Sequence, residues 1–310
     1  MRKNAWTIDQ IPPQTGKIAV VTGANSGLGL STSRALALKG AKVIMACRSL
    51  EKGEKARLNM VAEGAIMEPE VWHLDLASLE SVRRFAQKFA ASGDRLDLLI
   101  NNAGLMAIPY HRTEDGFEMQ FGVNHLGHFA LTAGLWPMLA KTVQSRVIQV
   151  SSLAYYMGQM RFEDIHWEKG YKKWGAYGMS KLANLLFIRE LARRLKESWG
   201  LVTAAAAHPG YADTELLTKD PGMNGTHLRA GFFKLANRLA AQSGENGALP
   251  SLYAATAEGV EQGAFFGPNG LLKLCGGPVA DSPSNKLLND KVAGKLWDVS
   301  ESLTGLEFKV

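Results

Sequence analysis

Hydrophobic positions along this chain fall into two alternating patterns. Short, nearly continuous apolar runs occur at Lys17 to Val21, Lys42 to Ala46, Glu70 to Leu74, Leu96 to Ile100, Arg146 to Val150 and Val202 to Ala207. Between them lie longer segments with apolar residues at helical spacing, over 27–39, 50–63, 78–92, 117–140 and 175–199. Runs of strand length separated by amphipathic helices predict a βαβ series. Strands that are apolar throughout predict a parallel sheet buried on both faces, which binds ligands at the carboxyl ends of its strands. Residues 243–258 and 285–303 carry helical spacing of Leu, Val and Trp, which reads as core packing. The Gly/Pro-rich stretches Asp220 to Gly225 and Gly267 to Gly270 read as loops over the cleft. No internal repeat or low-complexity linker divides the chain.

Composition narrows the class. The 310 residues, 46% hydrophobic and 21% charged, suffice for a large core. No stretch approaches the ~20 apolar residues of a membrane span, and Met1 to Trp6 leads into polar residues and Pro12-Pro13, so a cytoplasmic protein is expected. The two cysteines, Cys47 inside an expected buried strand and Cys275 far from it in sequence, make a disulfide framework an unsuitable reading. The net charge of +6 is carried by basic residues interleaved with carboxylates such as Glu190 and Glu197. Solvated faces explain that better than a nucleic-acid surface, and an anionic dinucleotide would use part of the excess.

The first strand runs into Thr22-Gly23-Ala24-Asn25-Ser26-Gly27-Leu28-Gly29 and then a helix. A strand, a glycine-rich turn and a helix N-terminus present free backbone N–H groups and a positive dipole end to a pyrophosphate. The end of the second strand discriminates between dinucleotides: an acid holds a ribose 2′-hydroxyl, whereas an arginine accommodates a 2′-phosphate. Arg48 stands there, about 20 positions past the last glycine, with no carboxylate at the strand end, so NADP(H) is expected. Asp75 and Leu76 end the third strand, where the carboxylate could accept from an adenine amino group; the alternative is a helix N-cap before residue 78. Asn102-Ala103-Gly104, after the fourth, allow close backbone approach to a ribose.

Tyr177 and Lys181 are spaced i, i+4 on an expected helix, so phenol and ammonium share one face. A phenol titrates near pKa ~10 and is a poor proton donor at neutral pH unless a neighbouring cation favours its anion. Ser152 supplies a second hydroxyl for the same substrate oxygen. No metal site is expected.

These residues together resemble the short-chain dehydrogenase/reductase superfamily over nearly the whole chain: Thr22-Gly23-x-x-x-Gly27-x-Gly29, Asn101-Asn102-Ala103-Gly104, Ser152, Tyr177-x-x-x-Lys181 and His208-Pro209-Gly210. Ala46-Cys47-Arg48, Asn124-His125-Leu126-Gly127-His128-Phe129, Ser180-Lys181-Leu182-Ala183-Asn184, Leu296 to Ser300 and the long Ser152–Tyr177 interval are similar to the retinol dehydrogenase branch. The resemblance implies an α/β, Rossmann-type doubly wound parallel sheet in a single domain: an extension 1–15, a dinucleotide-binding and catalytic core 16–212, and a substrate-covering region 213–310. It implies Tyr177 as acid/base, Ser152 polarising the carbonyl, Lys181 lowering the phenol pKa and binding the nicotinamide ribose, and Asn124 holding a relay water. Ser152, the second of the serine pair, takes the role rather than Ser151. Pro209, Gly210 and Thr214 would contact the nicotinamide end. Protochlorophyllide oxidoreductase is a near relative, to which His73 to Leu79 and Val43 to Arg48 are similar. Asn101 to Gly104 and the lack of a long insertion count against that reading, and membrane-anchored retinol dehydrogenases carry an N-terminal apolar segment that this sequence does not show. A catalytically silent NADP-binding sensor or scaffold would be expected to lose Tyr177 or Lys181, and both are kept.

Met106, Tyr155, Met157, Tyr211 and Met223 flank these elements and are the candidate pocket residues; Met and aromatic side chains near a sheet end also serve as core. An apolar lining suits a lipophilic aldehyde, ketone or retinoid-like alcohol. The reading leaves room for a homo-oligomer.

Overall fold

The computed structural model describes residues 6–197, 201–210, 244–283 and 287–310. Eight strands form one sheet: β1 (Ile18–Thr22), β2 (Lys42–Cys47), β3 (Glu70–His73), β4 (Leu98–Asn101), β5 (Arg146–Val150), β6 (Thr203–Ala207), β7 (Phe265–Pro268) and β8 (Pro278–Asp281), in the order β3-β2-β1-β4-β5-β6-β7-β8. The first seven are parallel, with Val20 opposite Ile44 on one side and Leu99 on the other. Order reverses beside β1, which opens a crevice at the carboxyl ends of β1 and β4.

Seven longer helices cover the sheet among the described residues: α1 (Gly27–Leu38), α2 (Leu50–Ala62), α3 (Leu79–Ser92), α4 (Gly127–Lys141), α5 (Lys173–Glu197), α6 (Gly244–Thr256) and α7 (Asp290–Thr304). Strand alternation divides the core. Val20, Ile44 and Leu99 point toward α3, α4, α5 and α7, packing with Phe85, Leu131, Leu186 and Trp297. Ala19, Val21, Val43 and Ile100 point the other way, to Leu36, Met60 and Leu252 of α1, α2 and α6. Successive residues of one strand thus serve opposite layers, which is why the strands read as unbroken apolar runs.

Three expectations are corrected. Gly267 and Pro268 belong to the last parallel strand, not to a loop, and β8 returns antiparallel beside it, Phe266 facing Ala280. Asp75 is not the cap of α3: Ser78 is, its Oγ accepting from Ser81 N–H, while Asp75 Oδ1 accepts from Ala77 N–H in the preceding turn. The helix read over 117–140 is interrupted, with a turn at Met119–Phe121, a π-helical segment at Gly122–Leu126 and then α4. Glycine makes the interruption fit, since a Cβ on Gly122 would lie 2.5 Å from Thr113 Cγ2 and one on Gly127 2.6 Å from the Leu76 carbonyl. Among the described residues no helix is long and apolar enough to cross a membrane.

Candidate active site

The crevice at the carboxyl ends of β1 and β4 is built by two interlocked loops. Gly23 and Gly27 hold positive φ (66° and 53°), where side chains are strained. A Cβ on Gly29 would stand 2.3 Å from the Gly23 carbonyl oxygen and 2.5 Å from Asn102 Nδ2. The Asn102 and Ala103 N–H groups both donate to Thr22 Oγ1 at 2.9 Å, and Asn102 Nδ2 donates to the Thr22 carbonyl at 2.9 Å. Asn25, Ser26 and Leu28 are half-buried along the turn, and Ser26 makes no side-chain cap on α1. The first N–H groups of that helix therefore face the crevice without a side-chain acceptor from the cap.

Arg48 follows β2, is exposed, and forms no ion pair among the described residues. The Leu76 side chain is buried in the core, so only its backbone can meet a ligand. Asp75 is half-buried beside it.

Tyr177 lies one turn inside α5 and is 7% exposed. Ser152 begins the 3-10 turn Leu153–Met157 after β5, where its Oγ accepts from Ala154 N–H at 3.2 Å and its hydroxyl lies near enough to the Tyr177 phenol to favour the phenolate. Burial pushes the phenol above its ordinary value, and the Ser152 contact offsets this only in part. Lys181 Nζ donates to the Val150 carbonyl at 3.3 Å and sits over the Tyr177 ring, 5.9 Å from its centre. Burial brings this ammonium down to about 8. Gly104 lets the parts converge, since a Cβ there would be 3.3 Å from Lys181 Nζ and 3.1 Å from Asn124 Oδ1. Ser151 is buried and donates to the Lys181 carbonyl at 2.8 Å, so it ties β5 to α5 and leaves Ser152 facing the phenol.

Asn124, in the π-helical segment, is a clamp. Its Oδ1 accepts from Leu105 N–H (2.7 Å), and its Nδ2 donates to the Leu105 carbonyl and Ser180 Oγ (both 2.9 Å). Ser180 Oγ in turn donates to the Tyr177 carbonyl at 2.8 Å.

Pro209 and Gly210 follow β6; Gly210 has φ 70° and donates its N–H to His208 Nδ1 at 3.2 Å. Thr214, Tyr211, Met223 and the Asp220 to Gly225 stretch lie outside the described residues. Of the remaining pocket candidates, Met106 is half-buried after the Ala103–Leu105 loop and Met157 is exposed. Tyr155 is core instead, fully buried with its ring stacked on Tyr156 and edge-on to Phe265.

Sequence reasoning missed Trp174, exposed and edge-on to Tyr177 at 6.1 Å between ring centres; its i−3 position on the same helix was the available signal. It also missed a buried His208–Asp281 contact (3.2 Å) braced by Lys273, which joins β6 to β8, and the histidine His128 considered below. The His208–Asp281 and His128–Thr22 pairs have no local signature, because the partners are distant in sequence.

The sequence model of the short chain dehydrogenase family matches residues 17–224. Human retinol dehydrogenase 13 is 43% identical over 295 residues, covering 94% of this chain and 86% of its own. The crystal structure of an uncharacterized protein from Mycobacterium Paratuberculosis superposes with a TM-score of 0.81 at 41% identity, covering 99% of this chain and 100% of that one. A short chain dehydrogenase from Escherichia coli CFT073, complexed with NADPH, shares the fold at a TM-score of 0.63 and 24% identity, over 82% of this chain and 96% of its own.

Proposed function

The chain belongs to the short-chain dehydrogenase family, and from that premise we propose that it is an NADP(H)-dependent oxidoreductase that transfers hydride between nicotinamide and a lipophilic carbonyl or alcohol. One observation carries the reading: the buried Tyr177 phenol, with Ser152 favouring its anion, stands one helical turn from a buried Lys181 whose Nζ packs at Gly104, in the loop that interlocks with the glycine turn suited to a dinucleotide.

The roles follow from chemistry. Residues 23–29 and the N-terminus of α1 would hold the pyrophosphate, and Arg48 the 2′-phosphate. The nicotinamide supplies the hydride when bound. The protein's task is then to orient the carbonyl and stabilise the oxygen on which charge develops. Ser152 donates to that oxygen and Tyr177 delivers the proton. Lys181 would donate to the nicotinamide ribose, and its ammonium, 5.9 Å from the Tyr177 ring centre, would favour the phenolate left when the proton is delivered. Support for NADP(H) comes from Arg48 and from the NADPH complex of a protein with the same fold. Support for a lipophilic substrate comes from the similarity to retinol dehydrogenase 13 and from the exposed Met157 and Trp174 near the catalytic residues.

The test is a homologous series of aldehydes and ketones, in darkness, with NADPH and with NADH. Each methylene entering the pocket should add about 0.8 kcal/mol of binding, so kcat/KM should climb roughly fourfold per methylene until the pocket is full. Tyr177→Phe should bind NADPH and lose turnover by about 10²-fold. A flat series rejects the lipophilic substrate, and turnover that requires light and a pigment favours a protochlorophyllide-type reaction.

A further inference from the structure

The side chain of His128, in the first turn of α4, is almost entirely buried between the two halves of the site. Its Nδ1 lies 3.0 Å from the Asn124 carbonyl oxygen, and its Nε2 lies 2.9 Å from Thr22 Oγ1. Those contacts determine the proton positions. A carbonyl can only accept, so the proton of a neutral imidazole must sit on Nδ1, and Nε2 is then an acceptor. Thr22 must donate its hydroxyl hydrogen to Nε2. Both remaining lone pairs of Oγ1 are thereby available to the two N–H donors already on it, from Asn102 and Ala103. Protonating Nε2 would place a third donor against an oxygen whose lone pairs are taken, and burial with Lys181 nearby brings this histidine down to about 4, in the same direction.

The bonds form one chain. It runs from the Asn102 and Ala103 N–H groups through Thr22, His128 and Asn124 to Ser180 and the Tyr177 carbonyl. We propose that His128, as its Nδ1–H tautomer, is a positioning residue that couples the dinucleotide-bearing loops to the helix carrying Tyr177 and Lys181. The proposal rests on the hydride-transfer reading above for its consequence in turnover. The π-helical segment puts the Asn124 carbonyl within reach of Nδ1; the imidazole spans from there to Thr22, a distance that no shorter side chain bridges.

The two nitrogens can be replaced one at a time. In His128→Asn the amide stands near Nδ1 and can still donate to the Asn124 carbonyl, while the Thr22 bond is lost. In His128→Gln the amide reaches the Nε2 position and Thr22, while the Asn124 bond is lost. Each lost bond should cost roughly tenfold in the property it supports. His128→Gln should therefore keep NADPH affinity within about threefold and lose kcat about tenfold, and His128→Asn should do the reverse. Equal losses of kcat and NADPH affinity in both variants, in proportion to a fall in melting temperature, would mean that His128 only fills space and would overturn the proposal. Nitrogen-15 NMR of the whole protein, with the His128 signals assigned by their loss in His128→Gln, should show Nδ1 protonated and Nε2 bare; the opposite tautomer also overturns it. If the wild-type protein reduces no carbonyl compound, the activity reading fails by itself. NADPH affinities of the two variants and the tautomer then still decide the role of His128.

Discussion

Tyr177 and Lys181 are buried one helical turn apart, and burial moves them in opposite directions, the phenol up and the ammonium down. Lys181 is held at about 8 by burial, against an ordinary value of 10.5. Because its folded value is the lower one, burial of its charge costs stability fully below pH 8, and the cost fades as pH rises toward 10.5. Lys181→Met should therefore raise the melting temperature of the cofactor-free protein at pH 7, by up to about 3 kcal/mol of stability, while nearly abolishing turnover. Asn184 Nδ2, 3.1 Å from the Val150 carbonyl, keeps that acceptor satisfied in the variant. Melting curves at pH 7 and pH 10.5 check the prediction, since the gain should vanish at the higher pH. Arg48 is exposed and forms no ion pair among the described residues. Arg48→Asp should weaken NADPH by about ten- to hundredfold and spare NADH, in fluorescence titrations of both cofactors.

Among the elements, the turn from β1 into α1 leaves little room for change. Gly23 and Gly27 are needed for their positive φ, but Gly29 is needed for space: the second loop passes so close that a methyl group would press on the Gly23 carbonyl and on Asn102. Gly29→Ala should destabilise the fold by about 1–3 kcal/mol, as overpacked sites do, and lower NADPH affinity as well, because both loops must shift. Chemical denaturation and NADPH titration measure the two effects. A loss of affinity without a loss of stability would place the constraint on the ligand rather than on the packing. The π-helical interruption before α4 works at the same scale, turning Asn124 toward the Ala103–Leu105 loop and its carbonyl toward His128.

For the molecule as a whole, the sheet's far edge is fastened by charge as well as by apolar packing. The carboxylate of Asp281, on β8, is nearly buried, which by itself would raise its pKa, but contacts with His208 and Lys273 prevail and hold it at about 2. Its folded value lies below the ordinary 3.8, so it stabilises the fold above that pH, and the contribution is lost as pH falls through about 2. Asp281→Asn should cost on the order of 2 kcal/mol at pH 7. The difference from wild type should close between pH 4 and pH 2, as followed by acid and denaturant titrations. Because His208 also accepts from Gly210 N–H, loosening this edge should reach the turn proposed to hold the nicotinamide.

Much of this protein was legible in one dimension. Six of the eight strands and their order of helices follow from hydrophobic period, because a strand buried on both faces must be apolar throughout and a helix facing a sheet must be apolar on one side. The glycine turn and the Tyr177–Lys181 pair are local, set by bonds and angles within a few residues, so their spacing within the βαβ pattern marked them. β7 and β8 escaped because Gly267 and Pro268 have the composition of a loop and are strand only through pairing with β8. Tyr155, equally plausible as pocket or core, became core through its contact with Phe265, far along the chain. Tertiary structure alone decided that Lys181 Nζ meets the Val150 carbonyl, that Asp281 meets His208, and that His128 reaches Thr22. Each of these depends on where a buried polar group finds its partner once water is removed, and that partner is chosen by packing across the sheet rather than by neighbours in sequence.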